Sequence, residues 1–136
     1  MRDKLLKALD THIWWAILLF GVFLLACVSS YGQTKKEVYD YLISIDCKYP
    51  EIVTAQAVLE TGHFKSYSCR KRKNLYGLWN HKKQEFYEFD SWEDSCNAYL
   101  TKIQYKYTGG DYYVFLEELG YAADPDYISK LKRIKS

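Results

Sequence analysis

The sequence predicts an α+β domain, mostly helix with one small β-hairpin, set behind an apolar N-terminal segment. Three observations carry this. Apolar residues recur at helical spacing in five stretches after residue 33, most of them preceded by a capping residue. One pair of aromatic, strand-like runs lies between them, joined by a polar turn. The 136 residues, 49% hydrophobic and 26% charged, suit one folded domain and contain no internal repeat or low-complexity segment.

Residues 1–32 read as a signal peptide or membrane anchor, leaving 33–136 as the folded domain. Arg2, Lys4 and Lys7 precede an uncharged run from Ile13 to Ala26, the shape of a secretory signal. The run is shorter than the ~20 apolar residues a spanning helix needs, although extension from His12 to Ser30 would allow an anchor. Three fates compete. Leu24–Cys27 resembles a lipobox, in which Cys27 would be lipidated. Ser30-Tyr31-Gly32 suits cleavage before Gln33. The third fate is retention as an anchor. Each places the domain outside the cytoplasm, exported to the periplasm or cell envelope, with the N-terminal segment contacting the membrane.

Thr34 and Glu37 form a capping box that starts a helix carrying Val38, Tyr41, Leu42 and Ile45 on one face. Pro50 should end it near Lys48 and open the next helix, EIVTAQAVLET, which is mostly interior and stops at Gly62. Residues 63–74, with the basic run Arg70–Lys73, read as a solvated loop; a basic rim for an anionic substrate is the sharper alternative. The hairpin runs are 75–79 and 85–89. Ser91 caps a third helix carrying Trp92, Cys96, Tyr99, Leu100 and Ile103, which breaks at Gly109-Gly110. A short helix from Asp111 to Leu119 stops at Gly120. Asp124-Pro125 caps the last, with Ile128, Leu131 and Ile134 inward.

Composition narrows function. A formal net charge of +2 is too small for the basic footprint of nucleic-acid binding. Fourteen Tyr, 6 Phe and 4 Trp suit a groove that is apolar and hydrogen-bonding at once, as sugars require, or tyrosines rimming a small core. Cys47, Cys69 and Cys96 allow at most one disulfide, with no pairing favoured. They form no C-x-x-C, and His63 and His81 are not spaced as zinc ligands beside them, so no metal site is expected.

The chemistry points to Glu60. It ends a largely buried helix, where burial and the negative end of the helix dipole both disfavour its ionised form. A raised-pKa carboxylic acid is what glycoside cleavage needs, because the leaving oxygen must be protonated near neutral pH.

Four segments in register strengthen this reading: AQAVLETGHFKS, NLYGLW, SWEDS and GYAADPDYISKL. Together they resemble the bacterial glucosaminidases of glycoside hydrolase family 73, from about residue 35 to 134. The resemblance implies a lysozyme-like helical fold with a β-lobe beside a groove, and hydrolysis of the N-acetylglucosaminyl bond in peptidoglycan glycan strands without a cofactor. It makes Glu60 the general acid. It gives Tyr121 a part in positioning substrate or supporting the reacting centre, and lets Asn74 to Gly77 shape the groove. Asn74, Tyr76, Gly77, Trp79 and Tyr127 are therefore expected at the substrate, Trp79 and Tyr127 as stacking surfaces by position alone. Tyr76 and Trp79 also fit as core residues of a half-buried strand, Tyr121 as a packing residue, and Asp124 as an N-cap.

The β-lobe departs from many relatives, which carry a second acidic residue on a longer lobe. Here only Glu85, Glu88 and Asp90 are candidates, so the second acid and the stereochemistry stay open. The substrate's own 2-acetamido group would need no second acid. Competing classes are a lytic transglycosylase, whose G-x-x-G-L-M-Q segment is absent, a peptide-stem amidase, and an inactive wall-binding module.

Overall fold

The computed structural model describes residues 33–135, so the expectations for Cys27 and the rest of the N-terminal segment lie outside it. Five α-helices and a two-stranded antiparallel sheet make up the described chain, in the order α1 (Lys35–Ser44), α2 (Pro50–Glu60), β1 (Trp79–Asn80), β2 (Glu85–Phe86), α3 (Trp92–Lys102), α4 (Tyr112–Glu118) and α5 (Tyr127–Lys135). The mostly helical α+β architecture agrees with the sequence reading. None of the described helices is long and apolar enough to cross a membrane.

Helix α2 is the centre. Seven consecutive residues, Ile52 to Val58, are buried. Such a helix must be covered on several sides, and α5 and α1 pack against it. The capping box of α1 forms as expected, with the Thr34 N–H donating to Glu37 and the Glu37 N–H to the Thr34 hydroxyl.

Helix α1 ends at Ser44 rather than near Lys48. Asp46 takes a left-handed φ of 55°, and the Cys47 N–H returns to the Leu42 carbonyl at 2.9 Å, closing the helix before Pro50 acts on it. After α2, Gly62 is left-handed as expected, but His63 and Phe64 are too.

Residues 63–74 are not merely a solvated loop. Ser68–Arg72 winds into a π-helical turn that buries Cys69, while Arg72 reaches Glu88 at 3.6 Å. The basic run thus has a structural anchor that its charge concealed.

The hairpin is shorter than its aromatic runs suggested, with two residues per strand in the register Trp79↔Phe86 and Asn80↔Glu85. Leu75 and Tyr76 are buried in a turn, not laid out as strand, and Gly77 takes φ 61°. The buried Asn74 side chain makes that turn. Its Oδ1 accepts from the Leu78 N–H at 3.0 Å, and its Nδ2 donates to the Leu78 carbonyl at 2.9 Å and the Tyr87 carbonyl at 3.0 Å. A side chain has taken the place of a strand partner.

Helix α3 starts at Ser91 and α4 at Asp111, both capped by side-chain oxygens. Asp124 accepts from the Asp126 N–H and pairs with Lys130, ordering the turn before α5. All three described cysteines are buried free thiols.

Candidate active site

A cavity of about 510 Å³ opens beside the C-terminal end of α2. Glu60 lies on its floor. One wall is the turn and hairpin, with Gly77, Leu78, Trp79, His81 and Tyr87. The other is the end of α3 and the chain after it, with Lys102 and Tyr105; Gly120 and Tyr121 close the base. Glu60 is the only carboxylate among the described lining residues.

Two influences act on that carboxyl. Burial against the protein raises its pKa, even though the side chain keeps a face open to the groove. The neighbouring Tyr127 phenol opposes this, because it favours the ionised form. The acid is thus held partly desolvated and oriented. The backbone at Gly77 approaches so closely that a Cβ there would sit 3.4 Å from Glu60 Oε2.

Tyr121 is half-buried at the cavity edge, and its hydroxyl donates to the Tyr76 carbonyl at 2.7 Å. That bond ties the segment before α5 to the turn opposite, so the two flanks of the acid are fixed to each other. Burial, the nearby Tyr127 and the Glu60 charge push the Tyr121 phenol well above its ordinary range, so it stays protonated.

The remaining expected residues separate into three groups. Gly77 and Trp79 line the cavity. Trp79 is 39% exposed and packs edge-on to Phe86 at 4.9 Å, which leaves an indole surface available on the groove. Asn74, Tyr76 and Tyr127 do not present side chains as expected for substrate contact. Asn74 spends its amide on backbone. Tyr76 turns its ring inward against Tyr99, with its hydroxyl 3.6 Å from Cys96 Sγ, and offers the cavity its backbone. Tyr127 is 7% exposed and is not among the described cavity-lining residues; its phenol lies near Glu60 instead. The α5 register that turns Leu131 inward turns Tyr127 inward one helical turn earlier.

Glu85 and Glu88 stand outside the cavity. Glu85 is exposed on the hairpin, and Glu88 turns to Arg72, whose guanidinium also covers the Phe86 ring at 5.3 Å. Tyr87 takes the groove side instead. None of Arg70 to Lys73 lines the cavity either.

Among the lining residues that escaped the sequence reading are His81, Tyr87, Lys102 and Tyr105. Lys102 lies over the Tyr87 ring at 4.6 Å, and Tyr105 is 67% exposed. They come from two separate elements, and no local pattern marks them.

The peptidoglycan hydrolase from Sphingomonas sp. A1 is similar, with a TM-score of 0.54 and 27% identity over 64% of this chain and 74% of that one. Comparison with curated proteins yields no match. The glucosaminidase family model, mannosyl-glycoprotein endo-beta-N-acetylglucosaminidase, matches residues 29–136. That span holds every helix described above and the carboxylate at the end of α2, and the chain belongs to this family.

Proposed function

We propose that the protein is a peptidoglycan hydrolase, an endo-β-N-acetylglucosaminidase in which Glu60 is the general acid. The observation that carries this is the placement of Glu60: the sole carboxylate among the described lining residues, raised in pKa by burial, oriented from behind and open to an aromatic groove. The similar peptidoglycan hydrolase supports the choice of substrate. So does the groove's basic lip, where Lys82, Lys83 and Lys102 border a pocket with Trp79 and Tyr87 and could meet the carboxylates of peptide stems. As part of the same proposal, the apolar N-terminal segment exports the domain and holds it at the membrane.

With no second carboxylate among the described lining residues, the 2-acetamido oxygen of the substrate attacks C1 while Glu60 protonates the leaving glycosidic oxygen. Water then attacks C1, its proton returns to the Glu60 carboxylate, and the acetamido group is released. Configuration at C1 is retained by this double displacement.

The test is digestion of purified peptidoglycan by the full-length protein in mild detergent, beside Glu60→Gln, with products identified by mass spectrometry. Reducing N-acetylglucosamine ends that disappear in the variant are expected. Anhydro-muramyl ends would assign the protein to the transglycosylases. Intact glycan with folded wild-type protein would leave a wall-binding module.

A further inference from the structure

Behind the acid runs a line of buried polar side chains that a core of this size could have replaced with apolar ones. Gln104, in the 3₁₀ turn Gln104–Lys106, is pinned at one end. Its Oε1 accepts from the Lys48 N–H at 2.9 Å, and its Nε2 donates to the Lys48 carbonyl at 2.8 Å. Both groups are backbone, so the amide cannot flip without setting oxygen against oxygen.

That anchor sets the direction of everything after it. Gln104 Nε2 donates to the Tyr112 hydroxyl at 3.0 Å. The Tyr99 hydroxyl donates to Gln56 Oε1 at 2.6 Å. A phenol has one proton, so the Tyr99–Tyr112 contact at 2.9 Å must be donated by Tyr112. Gln56, its oxygen occupied, donates through Nε2 to the Tyr127 hydroxyl at 3.2 Å. The Tyr127 proton is left free of these bonds, and its phenol lies close enough to Glu60 for each to shift the other's titration.

We infer that Gln104, Tyr112, Tyr99, Gln56 and Tyr127 form a one-way donor chain that ends on Glu60, orienting its carboxyl and stabilising its ionised form. These are positioning residues, and the inference rests on the reading of Glu60 as general acid. All five are buried, so each link acts in a low-dielectric interior where aligned hydrogen bonds polarise one another. The chemistry needs such a device. A general acid must hold its proton at the start and become a carboxylate as the bond breaks. Burial and the end of α2 favour only the first state; the chain favours the second.

Other groups facing the carboxyl lie off this line. Tyr121 flanks it from the segment before α5, Tyr76 and Gly77 present backbone from the turn, and the hairpin contributes His81 and Tyr87. Lys102 and Tyr105 complete the far wall.

The experiment is a carbon-13 NMR titration of the Glu60 carboxyl in the full-length protein, assigned with Glu60→Gln, for wild type, Tyr99→Phe and Tyr112→Phe. Each variant keeps the ring and removes one hydroxyl of the chain, with its two hydrogen bonds. Loss of Tyr99 should raise the Glu60 pKa by about one unit, and loss of Tyr112 by less. The alkaline limb of the pH–rate profile should move upward in the same order. Both folded variants titrating with wild type, or below it, would overturn the chain. If Tyr99→Phe does not fold, Tyr112→Phe decides alone. The titration needs no turnover, so an inactive wild type would sink the proposed function while the pKa values still judge the chain.

Discussion

Asn74→Asp exchanges one atom type and separates a turn-building role from a sugar-binding one. The wild-type amide donates to the Leu78 and Tyr87 carbonyls at 2.9 and 3.0 Å and accepts from the Leu78 N–H. Aspartate keeps the acceptor and loses both donors, so a buried carboxylate faces two carbonyl oxygens. Each stranded carbonyl costs on the order of 1–3 kcal/mol, and the buried charge adds to it, so about 3 kcal/mol or more is expected at pH 7. For a domain of this length that is a fall in Tm of roughly 15 °C. The sign with pH follows. Burial beside carbonyls raises the folded pKa of the new carboxyl above its unfolded value, so the native state binds more protons. The variant should therefore regain stability as pH falls toward the unfolded carboxylate value and lose it as pH rises through the folded one. Urea denaturation followed by circular dichroism at several pH values measures this. A variant within about 1 kcal/mol of wild type at pH 7, weakened only in glycan binding, would refute the structural role.

Gly77→Ala places a methyl 3.4 Å from Glu60 Oε2 at a left-handed φ of 61°. The backbone cost is about 1–2 kcal/mol, and displaced water should push the Glu60 pKa further up; an unchanged melt and pH–rate profile would contradict both. Glu60→Gln should abolish cleavage and flatten the pH dependence of stability. The raised carboxyl pKa makes the wild type lose stability as pH rises from the unfolded to the folded value, and glutamine removes that slope; parallel stability curves would count against burial as the cause. Cys47 and Cys96 have thiols pushed up to about 12, chiefly by burial. They should resist a thiol reagent at pH 8 in the native protein and react on unfolding; prompt native labelling of either would show that the core opens.

What the sequence made legible was local. The capping box at Thr34, the proline opening α2, the glycine closing it and the serine cap of α3 each depend on neighbours within four residues, and each forms. Glu60 was legible for the same reason: its helix, its place at the end and its motif are contiguous. Failures came where a distant group replaced a local one. The run from Leu75 to Trp79 has strand composition, but Asn74 supplies bonds that a strand partner would have made, and the ladder shrinks to two residues. The run Arg70–Lys73 looked solvated because its charges hid Cys69, which the π-helical turn carries into the core.

The second acid illustrates the same limit from the side of chemistry. Strand alternation alone put Glu85 with Tyr87 and Glu88 with Phe86, and could not say which face met the groove. In the fold Glu88 stands exposed 3.6 Å from Arg72, and Glu85, though alternation pairs it with Tyr87, is exposed on the hairpin and not among the described lining residues. Tyr87 is left on the groove, under Lys102. In the proposed mechanism Glu60, the one carboxylate among the described lining residues, gives and regains the proton. That places the burden on what surrounds it. Gln56 sits one helical turn before Glu60, on the same face of α2, and reads in sequence as a lone amide in an apolar run. In the fold it bonds Tyr127 on one side and, through Tyr99, Tyr112 and Gln104, reaches a backbone anchor at Lys48 on the other. A leucine at 56 would strand the buried Tyr99 and Tyr127 hydroxyls, so the amide belongs to the network it joins.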